Sequence, residues 1–191
     1  MSIGRLRLVR GLGGVGSCLS CLEGCEGLRN FKESGVVDLE TLAVMGYVPS
    51  EERLRRGPVA IYECVEEIPC NVCVFSCPFN AVSKSKMTDL PRVDFSKCTG
   101  CGVCVGRCPG LAVFVVDVSK EGNVGYVTLP HELLPVPSRG DEVLLLDREG
   151  RGVGRGVVTR VYRDKVTRSW VVTVSVPKDL VMVVRAIRVI K

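Results

Sequence analysis

Short apolar runs, most of them rich in valine, punctuate the chain at Val59-Ala60-Ile61-Tyr62, Val113-Phe114-Val115-Val116-Asp117, Glu142 to Leu146, Val153 to Tyr162, Trp170 to Val176 and Val184 to Ile190. Runs of this length, β-branched and bounded by turns such as Asp147-Arg148-Glu149-Gly150 and Arg163-Asp164-Lys165, predict β-strands. Arg92-Val93-Asp94-Phe95 and the alternating stretch from Ile3 to Val9 predict two more. Helical spacing is rarer. Leu39, Leu42, Ala43 and Met45 recur at helical intervals after Asp38, a good N-cap, until Gly46 stops the helix. A second short helix is predicted after Ser50, with Glu51 and Glu52 in its first turn and Arg53, Arg55 and Arg56 near its end, an order suited to the helix dipole. Pro177-Lys178-Asp179-Leu180 predicts a single helical turn before the last strand.

Three segments follow: an N-terminal extension with short helices over 1–57, a middle segment over 58–129, and a C-terminal segment over 130–191 that changes character at Leu134-Pro135-Val136-Pro137. The four or five strands of the last segment suggest a small β-barrel, SH3-like or OB-like, with Tyr162 and Trp170 filling its core and His131 on the surface of the linker. A composition that is 46% hydrophobic and 25% charged is that of a folded chain and excludes a disordered one. The longest apolar stretches are too short to span a bilayer, and charge interrupts the N-terminus before any signal-peptide core, so a cytoplasmic chain is expected. The lack of Gln, with only four Asn and many Arg and Val, leans toward a thermophilic source.

Charge is uneven. Residues 1–129 carry 14 Lys and Arg against 14 Asp and Glu, whereas 130–191 carry 12 against 7, so the net +5 lies in the last third. A basic module can attract nucleic acid, an anionic lipid surface or an acidic protein, or can be no more than a solvated face. No strand interleaves aromatic and basic residues as a base-stacking surface does, and nucleic acid is not expected as a partner.

Eight of the eleven cysteines form two runs, Cys64-x5-Cys70-x2-Cys73-x3-Cys77-Pro78 and Cys98-x2-Cys101-x2-Cys104-x3-Cys108-Pro109. Three thiolates two residues apart wrap one iron–sulfur cube, while the fourth, beyond a short helix, reaches the other cube. Crossed ligation therefore assigns Cys77, Cys98, Cys101 and Cys104 to one [4Fe–4S] cluster and Cys64, Cys70, Cys73 and Cys108 to another. The fold class expected is α+β, with a bacterial two-cluster ferredoxin-like core, the C-terminal barrel and the N-terminal cysteine-containing extension. Cys77-Pro78-Phe79-Asn80-Ala81-Val82 and Cys108-Pro109-Gly110-Leu111-Ala112-Val113 match as an internal duplication. Structural zinc is the competing reading, but zinc sites rarely string four cysteines at these intervals with Pro after the last. Metal-type spacing and an odd cysteine total suit a reducing compartment better than a disulfide framework.

The first run is irregular: five residues separate Cys64 from Cys70, and Glu67 stands where a ligand is usual. The extra residues can loop out while Cys64 still reaches iron; a [3Fe–4S] cluster or another fourth ligand is the alternative. Phe75, Phe79 and Phe114 are read as an apolar shield around the clusters. Cys18, Cys21 and Cys25 fall one ligand short of a closed site, which Cys64, Glu23, Glu26, solvent or a partner residue can complete; a third centre there is the expectation. Gly11-Leu12-Gly13-Gly14-Val15-Gly16 matches a dinucleotide fingerprint only formally, since Cys18-Leu19-Ser20-Cys21 follows where a helix is required.

The string Ile61-Tyr62-Glu63-Cys64-Val65-Glu66-Glu67-Ile68-Pro69-Cys70-Asn71-Val72-Cys73 resembles the small ferredoxin-type subunit of multi-subunit flavin-dependent dehydrogenases of the proline, hydroxyproline, cyanide-forming glycine and glycerol-3-phosphate type. The resemblance continues through Cys98-Thr99-Gly100-Cys101-Gly102-Val103-Cys104 and the segment from Cys108 to Asp117. It takes in Gly140-Asp141-Glu142-Val143 and the segment from Val172 to Lys178, so it covers about residues 59–191. It implies an electron-transfer subunit, not catalytic alone, that accepts single electrons from reduced flavin on a partner holding FAD or FMN, with any membrane association peripheral and through partners. A freely exchanging soluble ferredoxin is the alternative, and a nucleic-acid-binding protein with structural clusters the more distant one.

Overall fold

The computed structural model describes residues 31–190. The stretch from Ile3 to Val9, the glycine-rich turn at Gly11 to Gly16, and Cys18, Cys21 and Cys25 lie outside the described residues. Two short helices lead in, α1 (Leu39–Val44) and α2 (Glu51–Arg55). Each is started by the cap its sequence carries: Asp38 accepts from the Thr41 N–H at 2.7 Å, and Ser50 from the Arg53 N–H at 3.2 Å. Strand β1 (Val59–Tyr62) follows, then α3 (Val72–Ser76), the short strands β2 (Val82–Ser83) and β3 (Arg92–Val93), α4 (Val103–Arg107) and β4 (Val113–Asp117). The remainder is β5 (Val124–His131), β6 (Glu142–Leu146), β7 (Gly152–Arg163), β8 (Trp170–Pro177), a 3-10 turn at Lys178–Leu180, and β9 (Ala186–Val189).

Seven strands form one antiparallel sheet in the order β1-β4-β5-β8-β7-β6-β9, and β2 and β3 pair separately. Tyr62, the last residue of β1, lies opposite Val113, the first of β4. Both central cysteine runs therefore sit on a single excursion that leaves the sheet at Tyr62 and re-enters it beside its own exit.

The apolar run of β1 is buried along its whole length because it is a wall between two cores. Val59 and Ile61, with Phe114 and Val116 of β4, face a core completed by Val127, Leu129, Val143, Leu145, Val172, Val174 and Ile187. Ala60 and Tyr62, with Val113 and Val115, face the other way onto Leu42, Tyr47, Val82, Cys104 and Val105. The period of two divides one strand between the sheet's own core and the cysteine-bearing layer.

The barrel expected over 130–191 is open. β5 uses one edge for β8 and part of the other for β4, so it has no full edge left for β9, which approaches it without a ladder. The boundary expected at 129/130 falls inside β5, a strand that pairs with both halves. His131 is accordingly not a surface linker residue: it ends β5 opposite Trp170, is buried, and has Nε2 3.5 Å from the Pro135 carbonyl.

Candidate iron–sulfur site

The excursion is built as two like halves. α3 carries Cys73 and is closed by Cys77; α4 carries Cys104 and is closed by Cys108. Three residues past each closing cysteine the backbone turns left-handed, at Asn80 (φ 50) and Leu111 (φ 52), and these amides donate to the Cys77 and Cys108 carbonyls at 3.3 and 3.2 Å. A positive φ at a non-glycine residue is uncommon, and finding it at matched positions puts the duplication in the backbone itself.

The eight thiols are free, and they influence one another in groups. Burial pushes the Cys64 thiol up, Cys108 and Cys70 add to the effect, and Lys84 opposes it. Burial likewise raises Cys73, with Lys84 opposing and Cys70, Cys108 and Cys64 reinforcing. In the other half, burial pushes Cys104 up to about 12, with the nearby Tyr62 hydroxyl working against it and Cys98 and Cys101 adding to it. Thiols crowded in low dielectric resist ionising singly, so thiolate character there calls for a cation or a metal cluster to take the charge. Among the described residues, no three His, Cys, Asp or Glu side chains converge on one point as a single ion would require.

Two buried polar groups in this region lack hydrogen-bond partners. The Tyr62 hydroxyl is buried with no hydrogen-bonding oxygen or nitrogen, and it lies beside Cys104 with Cys73 and Cys77 nearby. Asn71 Oδ1, between Cys70 and Cys73, is also buried and unpaired. An orphaned buried O–H costs about 1–3 kcal/mol unless something accepts it, and a sulfur-rich cluster is such an acceptor. Backbone amides add to this: Ala60 N–H reaches Cys98 Sγ at 3.4 Å and Ala81 N–H reaches Cys77 Sγ at 3.3 Å. The donor set and its surroundings fit [4Fe–4S] ligation.

Two cations position the loops, and neither stands out in the sequence. Arg53, whose place near a helix end suggested only a dipole role, spans four carbonyls: Phe95 at 2.6 Å, Gly57 and Pro58 at 3.1 Å, and Cys98 at 2.5 Å. Lys84 donates to the Cys70 carbonyl at 2.6 Å and to Met87 at 3.3 Å. Glu67 is exposed with its neighbours Glu66, Ile68 and Pro69, while Cys64 stays beside Cys70 and Cys108. The expected apolar shield is only partly there. Phe75 is 85% exposed and Phe79 is also exposed, whereas Phe114 is buried in the sheet core under the Arg185 guanidinium, 4.9 Å from its ring.

The β7–β8 hairpin grips the second half. Tyr162 turns away from the expected barrel core and donates to the Gly102 carbonyl at 3.4 Å; Thr167 Oγ1 donates to Gly106 at 2.6 Å; Arg107 lies 3.7 Å from Asp164. Gly100 shows how tight the fit is. It has φ +66, and a β-carbon there stands 2.5 Å from the Pro58 carbonyl carbon. Gly100→Ala is expected to cost at least about 1–2 kcal/mol from the left-handed backbone alone and to open the loop between Cys98 and Cys101. Iron content after anaerobic reconstitution checks this; full iron occupancy with unchanged melting contradicts it.

Residues 63–112 match the family described as a 4Fe-4S dicluster domain. Over 60 residues the chain is 37% identical to the ferredoxin-type protein NapF of Haemophilus influenzae, covering 30% of this chain and 34% of that one. Over 49 residues it is 43% identical to the polyferredoxin-like subunit of an aliphatic sulfonate oxidoreductase of Pyrococcus furiosus, covering 26% and 28%. The match thus spans about a third of the length of these curated relatives. No solved structure matches the chain. The matched family segment runs from the residue after Tyr62 to the residue before Val113, the same stretch that leaves the sheet. That excursion matches a 4Fe-4S dicluster ferredoxin domain, and the match supports iron–sulfur electron transfer as its chemistry.

Proposed function

We propose that the chain is the electron-relay subunit of an oxidoreductase complex, with one [4Fe–4S] cluster on Cys64, Cys70, Cys73 and Cys108 and another on Cys77, Cys98, Cys101 and Cys104. The observation that carries this reading is that Cys108 acts electrostatically on Cys64 and Cys73 although it belongs to the other run, as Cys98 and Cys101 act on Cys104. Each cluster, when bound, takes up and returns one electron, so two match the pair released by a reduced flavin. The flavin-dependent dehydrogenase partner is supported by the sequence string from Ile61 to Cys73 and by the continuation of that likeness through the C-terminal strands. Cys18, Cys21 and Cys25 are proposed to hold a third centre.

The chain's own residues hold, orient and dry the site. Arg53 and Lys84 fix the carbonyls of Cys98 and Cys70, and Tyr62 offers its hydroxyl between the halves. Tyr62→Phe removes that donor. Hydrogen bonds to cluster sulfur favour the reduced, more negative form, so the variant is expected to lower at least one midpoint potential. A bond worth about 1 kcal/mol corresponds to about 40 mV for one electron. Redox titration followed by electron paramagnetic resonance reads the shift; two unmoved potentials contradict it.

The direct test is iron and acid-labile sulfide per chain on anaerobically purified protein. About eight of each fits two cubes and about twelve adds a third centre, whereas zinc without sulfide ends the reading. Anaerobic recovery of a tagged chain from its native host tests the complex: an accompanying flavoprotein supports it, and the chain alone returns the freely exchanging ferredoxin.

A further inference from the structure

The arginines of the C-terminal segment differ in their partners: Arg163 donates to the Arg168 carbonyl, and among the described residues Arg168 and Arg188 face no carboxylate. Arg148, Arg151, Arg155 and Arg185 face carboxylates. Arg139 and Arg160 do not: among the described residues neither side chain makes a hydrogen bond or an ion pair, and the Arg160 guanidinium only stacks on the Tyr162 ring at 4.7 Å. Both open onto one cleft of about 530 Å³, whose apolar wall is Val136, Pro137, Val161 and Trp170. No carboxylate lines this cleft, so its two unneutralised guanidiniums give it a positive potential that an anionic group entering it would meet favourably.

The cleft lies next to the second half of the iron–sulfur site. Arg160 covers Tyr162, and the Tyr162 hydroxyl touches the Gly102 carbonyl at 3.4 Å, one residue from the exposed Cys101. We propose that this cleft docks an acidic partner protein, whose carboxylates enter between Arg139 and Arg160 and bring a one-electron centre against the Cys101 edge. The proposal rests on the electron-relay reading. A protein fits better than a single-stranded nucleic acid because the aromatic faces that would stack bases are already covered: Arg160 lies over Tyr162, and Arg163 over Trp170 at 5.5 Å. One electron leaves the reduced protein per encounter and reduces the partner's centre; no bond is made or broken.

The test uses the full reconstituted chain, reduced with dithionite and freed of excess reductant, in stopped flow. Ferricyanide serves as an anionic one-electron oxidant and hexaamminecobalt(III) as a cationic one. Arg139→Glu/Arg160→Glu is compared with Arg155→Glu/Arg188→Glu, which changes charge by the same amount elsewhere on the module. At low ionic strength the cleft variant is expected to slow oxidation by ferricyanide by about tenfold and to speed oxidation by the cobalt complex, with both differences closing at high salt. Equal effects from the two variants, or none from either, overturn the proposal. Binding is read in parallel with polyglutamate and with a single-stranded oligonucleotide of equal charge. Polyglutamate binding lost only in the cleft variant supports the proposal, and tighter oligonucleotide binding at the cleft overturns it. Iron and sulfide measured on the same sample judge the relay reading separately, since polyglutamate binding does not depend on loaded clusters.

Discussion

Removing iron and sulfide from the holo-protein is expected to unfold the excursion between Tyr62 and Val113 and to leave the sheet from β4 to β9 folded. The expectation comes from where the apolar core lies. Within residues 63–112 the buried hydrophobic residues are Ala81, Val82, Cys104 and Val105, whereas β4 to β9 bury Phe114, Val116, Val127, Leu129, Val143, Leu145, Val158, Val172, Val174 and Ile187, among others. Four small or medium side chains cannot offset the conformational entropy of about fifty residues at roughly 1–2 kcal/mol each. The missing free energy is of the kind that structural metal supplies, about 10–16 kcal/mol per zinc site in small domains. Hydrogen–deuterium exchange of apo- and holo-protein measures this directly. Amides of α3 and α4 should lose protection on chelation, while those of β5, β7 and β8 keep it. Protection of α3 and α4 without metal would show that packing, not ligation, holds the loops.

The second large effect is expected at Glu63. Its carboxylate, 8% exposed, receives Arg148 through Nε at 3.0 Å and through a second nitrogen at 2.6 Å, and it receives Arg185 Nε at 2.6 Å. Arg185 is 4% exposed, donates one terminal nitrogen, Nη1, to both the Val181 and Val184 carbonyls, and its other terminal nitrogen, Nη2, has no partner. Burial lowers its pKa to about 10, with Glu63 working in the opposite direction. Glu63→Ala leaves two guanidiniums facing each other in the interior, and a loss of about 3–5 kcal/mol is expected. Glu63→Met/Arg185→Met removes both members of the buried pair and should lose less than Glu63→Ala alone. Anaerobic guanidinium unfolding followed by Trp170, the only tryptophan, gives both numbers. Equal losses would mean that the triad contributes shape rather than charge balance. Because Glu63 precedes Cys64, the single variant should also lower iron occupancy at that ligand.

Most local structure is legible in the sequence because it rests on local chemistry. Asp38 and Ser50 cap the helices they predict, and the Val-rich runs are strands within a residue or two of their expected ends. β5 is the exception. Val124 to His131 includes Gly125 and Pro130, residues that weaken a strand signal, and here they pair with Val176 and Val171 because β8 supplies the partner. Longer-range features escape for the same reason. Nothing local tells Arg53 from Arg55, yet Arg55 pairs with Glu51 on the surface and Arg53 reaches Cys98, 45 residues on. Glu63, Arg148 and Arg185 are likewise ordinary in sequence and meet only because the sheet curls until the end of β1, first in the strand order, lies against the ends of β6 and β9, the last two. Lys84 sits in the polar stretch Ser83-Lys84-Ser85-Lys86, where nothing marks it as the contact to Cys70.

The neighbouring positions of Tyr62 and Val113 also bear on the order in which the molecule comes together. Pairs such as β4 with β5 and β7 with β8 join short stretches of chain, but the β1–β4 ladder must close a loop of about fifty residues, an entropic cost that scales to about 3.5 kcal/mol. β1 is therefore expected to be the last strand to join. A nascent chain would then carry a largely finished sheet with one edge still vacant at β4. Such an open edge is prone to pairing with a second molecule. Supply of iron and sulfide, by shortening that loop, would set how long the vulnerable interval lasts.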